Sequence, residues 1–287
     1  MKPITCCVCD TIMVQSGPAW RFRCLGCGTW ASTLSVDING DAHSDLDESL
    51  RETGLSTLRE MNNTRVLNRL AQLGLPDHAQ VLDVGSAHGW FVRAAVDRGW
   101  QAEGLEPDDA IAARSSEAGV AVRQGFFPDA LADDETFDAI CFNDVLEHLP
   151  DVRAAVAACR HHLRPGGLLS VNIPSTSGAV FTLGRWMERV GSSRLSDRLW
   201  QVGFPSPHLW YFDQMGLSRL CESEGLEPVL VATLPSVVRN GLWERAHEGG
   251  RQTPLTVVGV AAAWLGAPLL NHSRTSDIMH VIARKRP

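Results

Sequence analysis

The sequence lacks an excess of positive charge, and it lacks the features of a secretory leader. Lys and Arg number 26 against 33 Asp and Glu, a formal net charge of −7, so the chain as a whole has no field that would draw it to nucleic acid or to an anionic membrane. Its first residues, MKPITCCVCD, contain neither an apolar run nor a small-residue cleavage site, which predicts a cytoplasmic protein. Internal repeats and low-complexity tracts are absent too, and 44% hydrophobic residues indicate a globular chain.

A transmembrane segment is not predicted either. From Gln252 to Ser273 the chain carries no formal charge. However, Pro254 and Pro268 limit a straight helix to the interval between them, which is shorter than the ~20 residues needed to cross a bilayer. The apolar segment 255–270 is therefore expected to form a buried or interfacial helix, and contact with a membrane surface stays open.

Cysteines are abundant at one end of the chain, where five of the eight fall within the first 27 residues. In a reducing compartment such a cluster favours metal ligation over disulfides. Cys6 and Cys9 form one C-x-x-C knuckle, and Cys24 and Cys27 form another. Four thiolates around zinc make a closed tetrahedral site, so we expect a structural zinc. Cys7 lacks the two-residue spacing and is predicted to be a spectator; the alternative is that all five are merely buried or redox-active thiols.

The chain divides into two predicted domains. Residues 1–36 form the zinc ribbon, and 37–53 have the polar, acidic composition of a linker. The remainder, 54–287, is one larger domain, in which 174–212 and 235–275 are expected to be substrate-side or peripheral elements.

Within the larger domain, short apolar runs alternate with amphipathic ones. The predicted strands are Val81–Val84, Ala102–Leu105, Val120–Arg123, Ala139–Phe142, Leu168–Ile173, Pro228–Thr233 and Asp277–Ala283. The predicted helices are Leu55–Leu75, Phe91–Arg98, Asp108–Ala118, Val152–Leu163 and Asp213–Glu224. This alternation predicts an α/β fold with a Rossmann-like, doubly wound, seven-stranded sheet behind the small N-terminal zinc ribbon.

The segment VLDVGSAHGWF reads as a buried strand that runs into a glycine turn and opens a helix. Gly85 permits the sharp turn, while Ser86, Ala87 and Gly89 keep the side chains small, so a ligand can approach the backbone and the helix N-terminus. The spacing does not match the G-x-G-x-x-G of dinucleotide-binding proteins. Glu106 ends the second strand, where an acid can accept hydrogen bonds from both hydroxyls of a ribose.

As an ordered set these motifs resemble the class I S-adenosylmethionine-dependent methyltransferases over roughly residues 55–235. The matching features are Asp83, Gly85 and Gly89 in the first motif, Glu106 as the ribose acid, FDAICFNDVLEHLPDV at the fourth strand and LRPGGLLSVNIP at the fifth. The resemblance implies S-adenosylmethionine as cofactor and adds Asn143, at the end of the fourth strand, to the residues that bind it.

Two positions depart from that family's pattern. Ala87 stands where the family usually has glycine. Phe126 or Phe127 occupies the place where many members have an acid near the adenine. The adenine is therefore predicted to rest on backbone donors and on an aromatic face.

Methyl transfer from a sulfonium is an in-line displacement, so most of the catalysis can come from positioning. The ligand crevice of an open α/β sheet lies at the carboxyl ends of the strands, which places Asp144, Glu147 and His148 near the reaction. His148 is the first candidate for general base, although Glu147 and His148 could equally brace the loop. Asp144-x-x-Glu147-His148 also resembles the E-x-x-E-H group with which ubiquinone-pathway O-methyltransferases hold a divalent metal, an interpretation that we rank lower.

His208 and Tyr211 lie in PSPHLWYF, which resembles a P-H-L-x-x-F segment of methyltransferases in sugar and polysaccharide pathways. His208 is expected to contact the acceptor, or else to cap the following helix. The same region inserts aromatic and basic residues: Trp186, Trp200, Phe204, Trp210, Arg185, Arg189, Arg194 and Arg198. These suit a sugar or aromatic acceptor bearing phosphate, or they form the solvated face of an amphipathic helix.

Three functions compete on these grounds. The first is methylation of a small-molecule acceptor at oxygen, with sugar or polysaccharide intermediates favoured over quinones and carbon methylation of a sugar left open. The second is an RNA methyltransferase whose ribbon grips the substrate; it ranks lower because the ribbon carries only Lys2, Arg21 and Arg23 as cations. The third, a non-catalytic cofactor-binding protein that serves partners, is disfavoured by the intact cofactor motifs.

Overall fold

The computed structural model describes residues 3–37, 48–238, 264, 266–268, 270–273 and 275–286. Its strands, in chain order, are β1 Val14–Gln15, β2 Arg21–Arg23, β3 Trp30–Ser32, β4 Gln80–Val84, β5 Gln101–Glu106, β6 Val122–Gln124, β7 Phe137–Asn143, β8 Leu163–Pro174, β9 Trp210–Tyr211, β10 Leu226–Leu234 and β11 Ile278–Lys285. Its helices are α1 Glu48–Gln72, α2 Trp90–Asp97, α3 Asp109–Glu117, α4 Val152–His162, α5 Ala179–Arg189, α6 Arg194–Leu199 and α7 Gln214–Ser223, with a 3₁₀ turn at Leu146–His148.

Seven strands form one mixed sheet in the order β10-β11-β8-β7-β4-β5-β6. Strands β8, β7, β4, β5 and β6 run parallel, whereas β11 pairs antiparallel with both β8 and β10. The predicted Rossmann-like fold is confirmed. Because β4 lies between β7 and β5, the direction of strand addition reverses at β4, and a ligand crevice is expected at the carboxyl ends of β4 and β7.

Helices cover the sheet on two sides and bury its apolar strands. Side chains of α1 and α2, among them Leu70 and Phe91, pack on one apolar cluster. Side chains of α4 and α7, among them Val156 and Leu217, pack on the other. Ribbon residues such as Met13 belong to this second cluster, so the ribbon shares its core with the larger domain.

A second, four-stranded sheet joins the ribbon to the larger domain, in the order β1-β2-β3-β9. Strand β9 comes from the insertion after β8, and its Tyr211 pairs with Trp30 of β3 in antiparallel register. The sequence predicted a ribbon confined to residues 1–36. Backbone pairing between segments so distant in sequence leaves no local signal, because two-residue strands have no readable periodicity.

The boundary between the predicted linker and the larger domain differs from the structure. Helix α1 begins at Glu48, so the last part of the expected linker 37–53 is helical.

Several predicted segments lie outside the described residues. These are 38–47 of the linker and most of the apolar segment 255–270, with the matching part of the peripheral element 235–275. Within the described ranges, no helix combines the length and the apolar character that a membrane crossing requires.

Candidate functional site

The glycine turn between β4 and α2 has the conformation that its residues demand. Gly85 and Gly89 adopt φ of 70° and 69°. A Cβ on Gly85 would stand 2.6 Å from a methyl carbon of Val145, so neither the backbone angle nor the space allows a side chain. Ala87 also adopts a positive φ, 45°, a backbone conformation that glycine adopts with less strain than alanine.

Glu106 lies at the end of β5 directly beside this turn. One carboxylate oxygen accepts a hydrogen bond from the backbone N–H of Ala87 at 2.8 Å, and the other accepts from the N–H of Asp108 at 3.0 Å. The side chain is buried. Glu106 therefore braces the turn with both of its carboxylate oxygens.

A cavity of about 240 Å³ opens at the carboxyl ends of β4 and β7. Half of its lining residues lie at the ends of β4 and β7, in the glycine turn and directly after β7, namely Asp83, Gly85, Ser86, Ala87, His88, Asn143, Asp144 and Val145. Helix α1 adds Arg59, Asn62 and Asn63, which sequence reasoning missed because α1 carried only a packing signal. The Arg59 guanidinium lies 5.6 Å from the centre of the Trp90 ring, so the lining includes a cation.

The polar groups of this cavity fit the amino-acid part of S-adenosylmethionine. Arg59 offers a cation for its carboxylate, and Asp83 offers a carboxyl group for its ammonium. The Ser86 hydroxyl is buried and has no hydrogen-bond partner among the described residues. A buried polar group left unpaired is costly, so a polar ligand that reaches Ser86 would gain from it.

Asp83 is held in a short chain of amides. Asn143 Nδ2 donates to the Asp83 carboxylate at 2.8 Å, and Asn172 Nδ2 donates to Asn143 Oδ1 at 2.5 Å. Burial raises the pKa of Asp83 to about 7, with the negative charge of Glu106 adding to the rise and the Asn143 hydrogen bond opposing it. The predicted cofactor residues Asp83 and Asn143 therefore act as one hydrogen-bonded unit.

Phe126 and Phe127, the predicted adenine contacts, are not among the residues that line this cavity. Phe126 is half exposed. Phe127 packs edge-on against Phe142 at 5.5 Å, which makes it part of the core beneath β7. Their contact with adenine stays a prediction.

A second group of polar side chains converges beyond β7. Glu147 and His148 lie on the 3₁₀ turn, and His208 approaches them from the chain before β9. The two imidazole centres are 4.7 Å apart, and each Nε2 lies 3.9 Å from Glu147 Oε1. The structure thus brings the three predicted catalytic residues together in a trio, none of whose members lines the cavity.

His148 is oriented by the chain in front of it. Its Nδ1 donates to the carbonyl oxygen of Pro207 at 3.0 Å, which leaves the lone pair on Nε2. The Ser206 carbonyl is a second acceptor that faces the ring, and Nε2 lies 3.9 Å from Glu147 Oε1, beyond hydrogen-bond distance. Burial lowers the pKa of His148 below its ordinary 6.5, so the ring is neutral at pH 7.

His208 has both ring nitrogens engaged. The Tyr211 hydroxyl donates to the carbonyl of Leu199 at 2.9 Å, so it accepts from His208 Nδ1, also at 2.9 Å. Gln201 Nε2 donates to His208 Nε2. Burial, and then the neighbouring His148, hold the pKa of His208 well below its usual value. Of the two histidines, His148 therefore has the available lone pair.

Glu147 is the most buried member of the trio, with 1% of its side chain exposed. Neither carboxyl oxygen has a hydrogen-bond partner among the described residues. Burial, followed by the charge of Asp144, raises the pKa of Glu147 well above its usual value. One ligand atom from each member of the trio lies within 4.8 Å of the others, so the set could hold a metal ion. The E-x-x-E-H resemblance predicted Asp144 in such a set, whereas the structure supplies His208 instead.

The four predicted zinc ligands also converge. Their sulfur atoms all lie within 4.8 Å of one another, and the Cys6–Cys27 and Cys9–Cys24 Sγ distances are both 3.4 Å. This closed set of four sulfurs fits a tetrahedral zinc site. A hydrogen bond from Cys7 lowers the pKa of Cys6 to about 4, and the same bond and burial raise the pKa of Cys7, as expected for a spectator that keeps its proton.

The aromatic and basic insertion does not form the predicted acceptor surface as a whole. Trp200 is 1% exposed and packs edge-on against Trp20 at 5.6 Å. The Arg185 guanidinium lies 4.1 Å from the centre of the Trp30 ring. Both side chains thus contact the ribbon: Trp200 packs against the ring of Trp20, and the Arg185 cation lies over the ring of Trp30.

The other arginines follow the alternative expectation. Arg189, Arg194 and Arg198 are solvent-exposed. They lie on two helices instead of one, because Gly191 adopts a φ of 92° beyond the end of α5, a conformation that commonly ends helices.

The remaining aromatic residues of the insertion divide between solvent and packing. Trp186 and Phe204 are exposed, and Trp210 donates from Nε1 to the carbonyl of Leu149 at 3.1 Å.

Comparison with known proteins places this geometry among methyltransferases. The family model described as a methyltransferase domain matches residues 57–231. A ubiquinone biosynthesis O-methyltransferase from Xylella fastidiosa is 38% identical over 112 residues, which are 37% of this chain and 46% of that protein. The chain thus spans about half the length of the curated relatives it matches.

Solved structures agree on the fold. A SAM-dependent methyltransferase from Archaeoglobus fulgidus superposes with a TM-score of 0.54 at 14% identity, covering 83% of this chain and all of that one. An S-adenosylmethionine-dependent methyltransferase from Mesorhizobium loti gives 0.53 at 16% identity, covering 79% and 100%. At these identities the likeness shows the fold alone.

Proposed function

Because the chain belongs to the family of methyltransferase domains, we propose that it transfers the methyl group of S-adenosylmethionine to an oxygen atom of a small-molecule acceptor. The observation that carries the proposal is the pairing of two sites. A cavity lined by Asp83, Arg59 and a Ser86 hydroxyl that has no hydrogen-bond partner among the described residues suits the cofactor. The neutral imidazole of His148, whose Nδ1 donates to the Pro207 carbonyl, lies on the 3₁₀ turn that directly follows Asp144 and Val145 of the cavity lining.

His148 is the proposed general base. A hydroxyl that attacks the methyl group must lose its proton, and a neutral imidazole can take it. Because burial lowers the pKa of His148 below its ordinary 6.5, the acid limb of the pH–rate profile should have its midpoint below pH 6.5. His208 is proposed to line the acceptor side, with Glu147 supporting both rings.

Glu106 is proposed to bind the ribose of the cofactor while it braces the turn. Glu106→Ala should weaken S-adenosylmethionine binding by ~1–3 kcal/mol, because both the ribose hydroxyls and the Ala87 N–H lose their acceptor. Calorimetric titration of the purified variant with S-adenosylmethionine measures this loss of binding free energy. Glu117→Ala, which removes an exposed carboxylate from α3, is the matched control. An unchanged dissociation constant in the Glu106 variant would move the ribose acid elsewhere.

The raised pKa of Asp83 predicts that the affinity for the cofactor depends on pH. Its pKa is raised to about 7, so the free protein gains a proton there as the pH falls, and the cofactor ammonium then meets a neutral acid. The affinity for S-adenosylmethionine should therefore drop about fivefold from pH 7 to pH 6, with proton release on binding. Titration in buffers of different ionisation enthalpy measures both. A flat affinity from pH 6 to 8, equal to that of Asp83→Asn, would contradict the assignment.

We also propose that Cys6, Cys9, Cys24 and Cys27 hold one structural zinc. The support is the four-sulfur set within 4.8 Å, which leaves no ligand position for water or substrate. When bound, the metal supplies folding energy to a module with almost no core of its own.

The proposed acceptor is a sugar or polysaccharide intermediate. The P-H-L-x-x-F resemblance of the segment around His208 supports it, whereas the ubiquinone-pathway relatives support a phenolic hydroxyl as the second candidate. Methyl-labelled S-adenosylmethionine should be incubated with nucleotide sugars, free sugars and catechol-like phenols. Label in a sugar supports the proposal, label in a phenol moves the acceptor class, and label in neither while RNA is labelled overturns it.

The alternative function, RNA methylation, loses support because an arginine of the ribbon that could bind phosphate is engaged within the protein. Arg21 is buried and forms a bidentate ion pair with Glu188, and Arg23 lies over the Trp30 ring at 5.3 Å. Lys2 lies outside the described residues. A phosphate-binding surface needs several free cations, and Arg21 is committed elsewhere.

A further inference from the structure

The ribbon touches the proposed reaction centre through one short stretch of chain, the bridging segment Pro207–Tyr211. Strand β3 pairs with it, Trp30 opposite Tyr211. Beyond that pair, Ser32 makes two further bonds: its N–H donates to the carbonyl of Leu209, and its hydroxyl donates to the carbonyl of His208, both at 2.8 Å. The backbone of the bridging segment is therefore fixed from the ribbon side.

The other side of the bridging segment fixes the proposed base. The Leu209 N–H donates to the carbonyl of Glu147 at 2.8 Å, and the Pro207 carbonyl accepts from His148 Nδ1. The bridging segment thus contains His208 and connects the ribbon strand to the other two members of the trio, Glu147 and His148. The bond to Pro207 selects the tautomer that leaves the His148 lone pair on Nε2.

The ribbon is anchored so that it can act as a fixed support. Arg21 binds both carboxylate oxygens of Glu188, at 2.6 and 2.8 Å, and also the Ser196 hydroxyl at 2.8 Å. At the metal end, Arg153 Nε donates to the carbonyl of Cys7 at 2.8 Å. The cofactor cavity, by contrast, is lined by no residue of the described ribbon.

We propose that the zinc ribbon is part of the reaction centre, and that Ser32 is a positioning residue that holds the bridging segment and through it His208 and His148. The inference rests on the proposed function, since it deepens the role of the trio. It separates the two halves of the site: the ribbon governs acceptor chemistry, whereas cofactor binding is independent of it.

Ser32→Ala removes one of the two bonds that Ser32 makes to the bridging segment. It should lower kcat about fivefold to tenfold on the acceptor found by the screen, the scale of one lost hydrogen bond, and leave both the zinc content and the cofactor dissociation constant within about twofold. Ser32→Thr keeps the hydroxyl and should restore kcat, whereas its isostere Ser32→Val should not. Ser35→Ala, at an exposed position three residues on in the same segment, is the control.

Nuclear magnetic resonance provides a readout that needs no acceptor. In ¹³C-histidine-labelled protein, the Cε1–H resonances of His148 and His208 should shift in the Ala and Val variants and return in the Thr variant. Unchanged resonances and unchanged kcat in Ser32→Ala and Ser32→Val would overturn the positioning role while leaving the methyltransferase proposal intact. A wild-type protein that labels no acceptor would instead count against the proposed function, and the resonances alone would then decide the role of Ser32.

Discussion

Replacing His148 with alanine is expected to lower turnover by ~100-fold or more while leaving cofactor affinity nearly unchanged, because the help of a general base is felt in the transition state. The structure gives the reason in terms of one atom. His148 Nδ1 donates its hydrogen to the Pro207 carbonyl, so the lone pair is on Nε2. Burial lowers the pKa of the ring and so keeps it neutral.

The two histidines of the trio can be separated by kinetics. His208 has Gln201 and Tyr211 on its ring nitrogens, so it is better suited to shape the acceptor side than to take a proton. His208→Ala should raise the acceptor KM as well as lower kcat, whereas His148→Ala should lower kcat with little change in KM. His161→Ala, at an exposed histidine of α4, is the control. If both trio variants keep full activity, methyl transfer proceeds by positioning alone and the base assignment fails.

Cys24→Ser should remove the zinc altogether and unfold the ribbon. Metal binding in small cysteine modules supplies ~10–16 kcal/mol of apparent folding free energy, far more than any other single contact here. Cys7→Ser is the matched control, because Cys7 lies outside the four-sulfur set. Metal analysis should give one zinc per chain for the wild type and for Cys7→Ser, and none for Cys24→Ser.

Loss of the ribbon should have an optical consequence too. Trp20 and Trp30 pack in a cluster with Trp200 and Tyr211, so their near-ultraviolet circular dichroism should decrease in Cys24→Ser. A zinc content of one per chain in Cys24→Ser would contradict the assignment of Cys24 as a ligand.

The sequence was sufficient where the signals are local. Every predicted strand of the large sheet is present, because buried parallel strands read as apolar runs and the intervening helices as amphipathic ones. The glycine turn was predicted from its residue types, because Gly85 and Gly89 adopt the positive φ that glycine favours. Their close contacts with Val145 and Val120 come from segments distant in sequence and left no local signal.

What the sequence left open depends on contacts between distant segments. The joining of Trp210–Tyr211 to the ribbon sheet is carried by two residues, too few for a period. The convergence of His208 on Glu147 and His148 could be suspected from the residue types, but their spacing along the chain does not require it. The use of Arg185 and Trp200 to bind the ribbon reverses an expectation based on composition alone.

The contribution of Arg59 was missed for a similar reason. It lies on α1, before the first strand of the large sheet, and reaches the cofactor cavity only because α1 packs beside the glycine turn. An isolated arginine in a helix has no signature that separates a ligand contact from a solvated charge.

Hydrogen–deuterium exchange with and without S-adenosylmethionine tests the position of the cofactor most directly. Bound in the cavity at the carboxyl ends of β4 and β7, with its ribose on Glu106 at the end of β5, the cofactor should slow exchange in peptides that cover 83–90 and 104–108, and leave the ribbon strand Trp30–Ser32 unchanged. Exchange that is the same in both samples over 83–90, or protection confined to the ribbon, would contradict a cofactor site at the Gly85 turn.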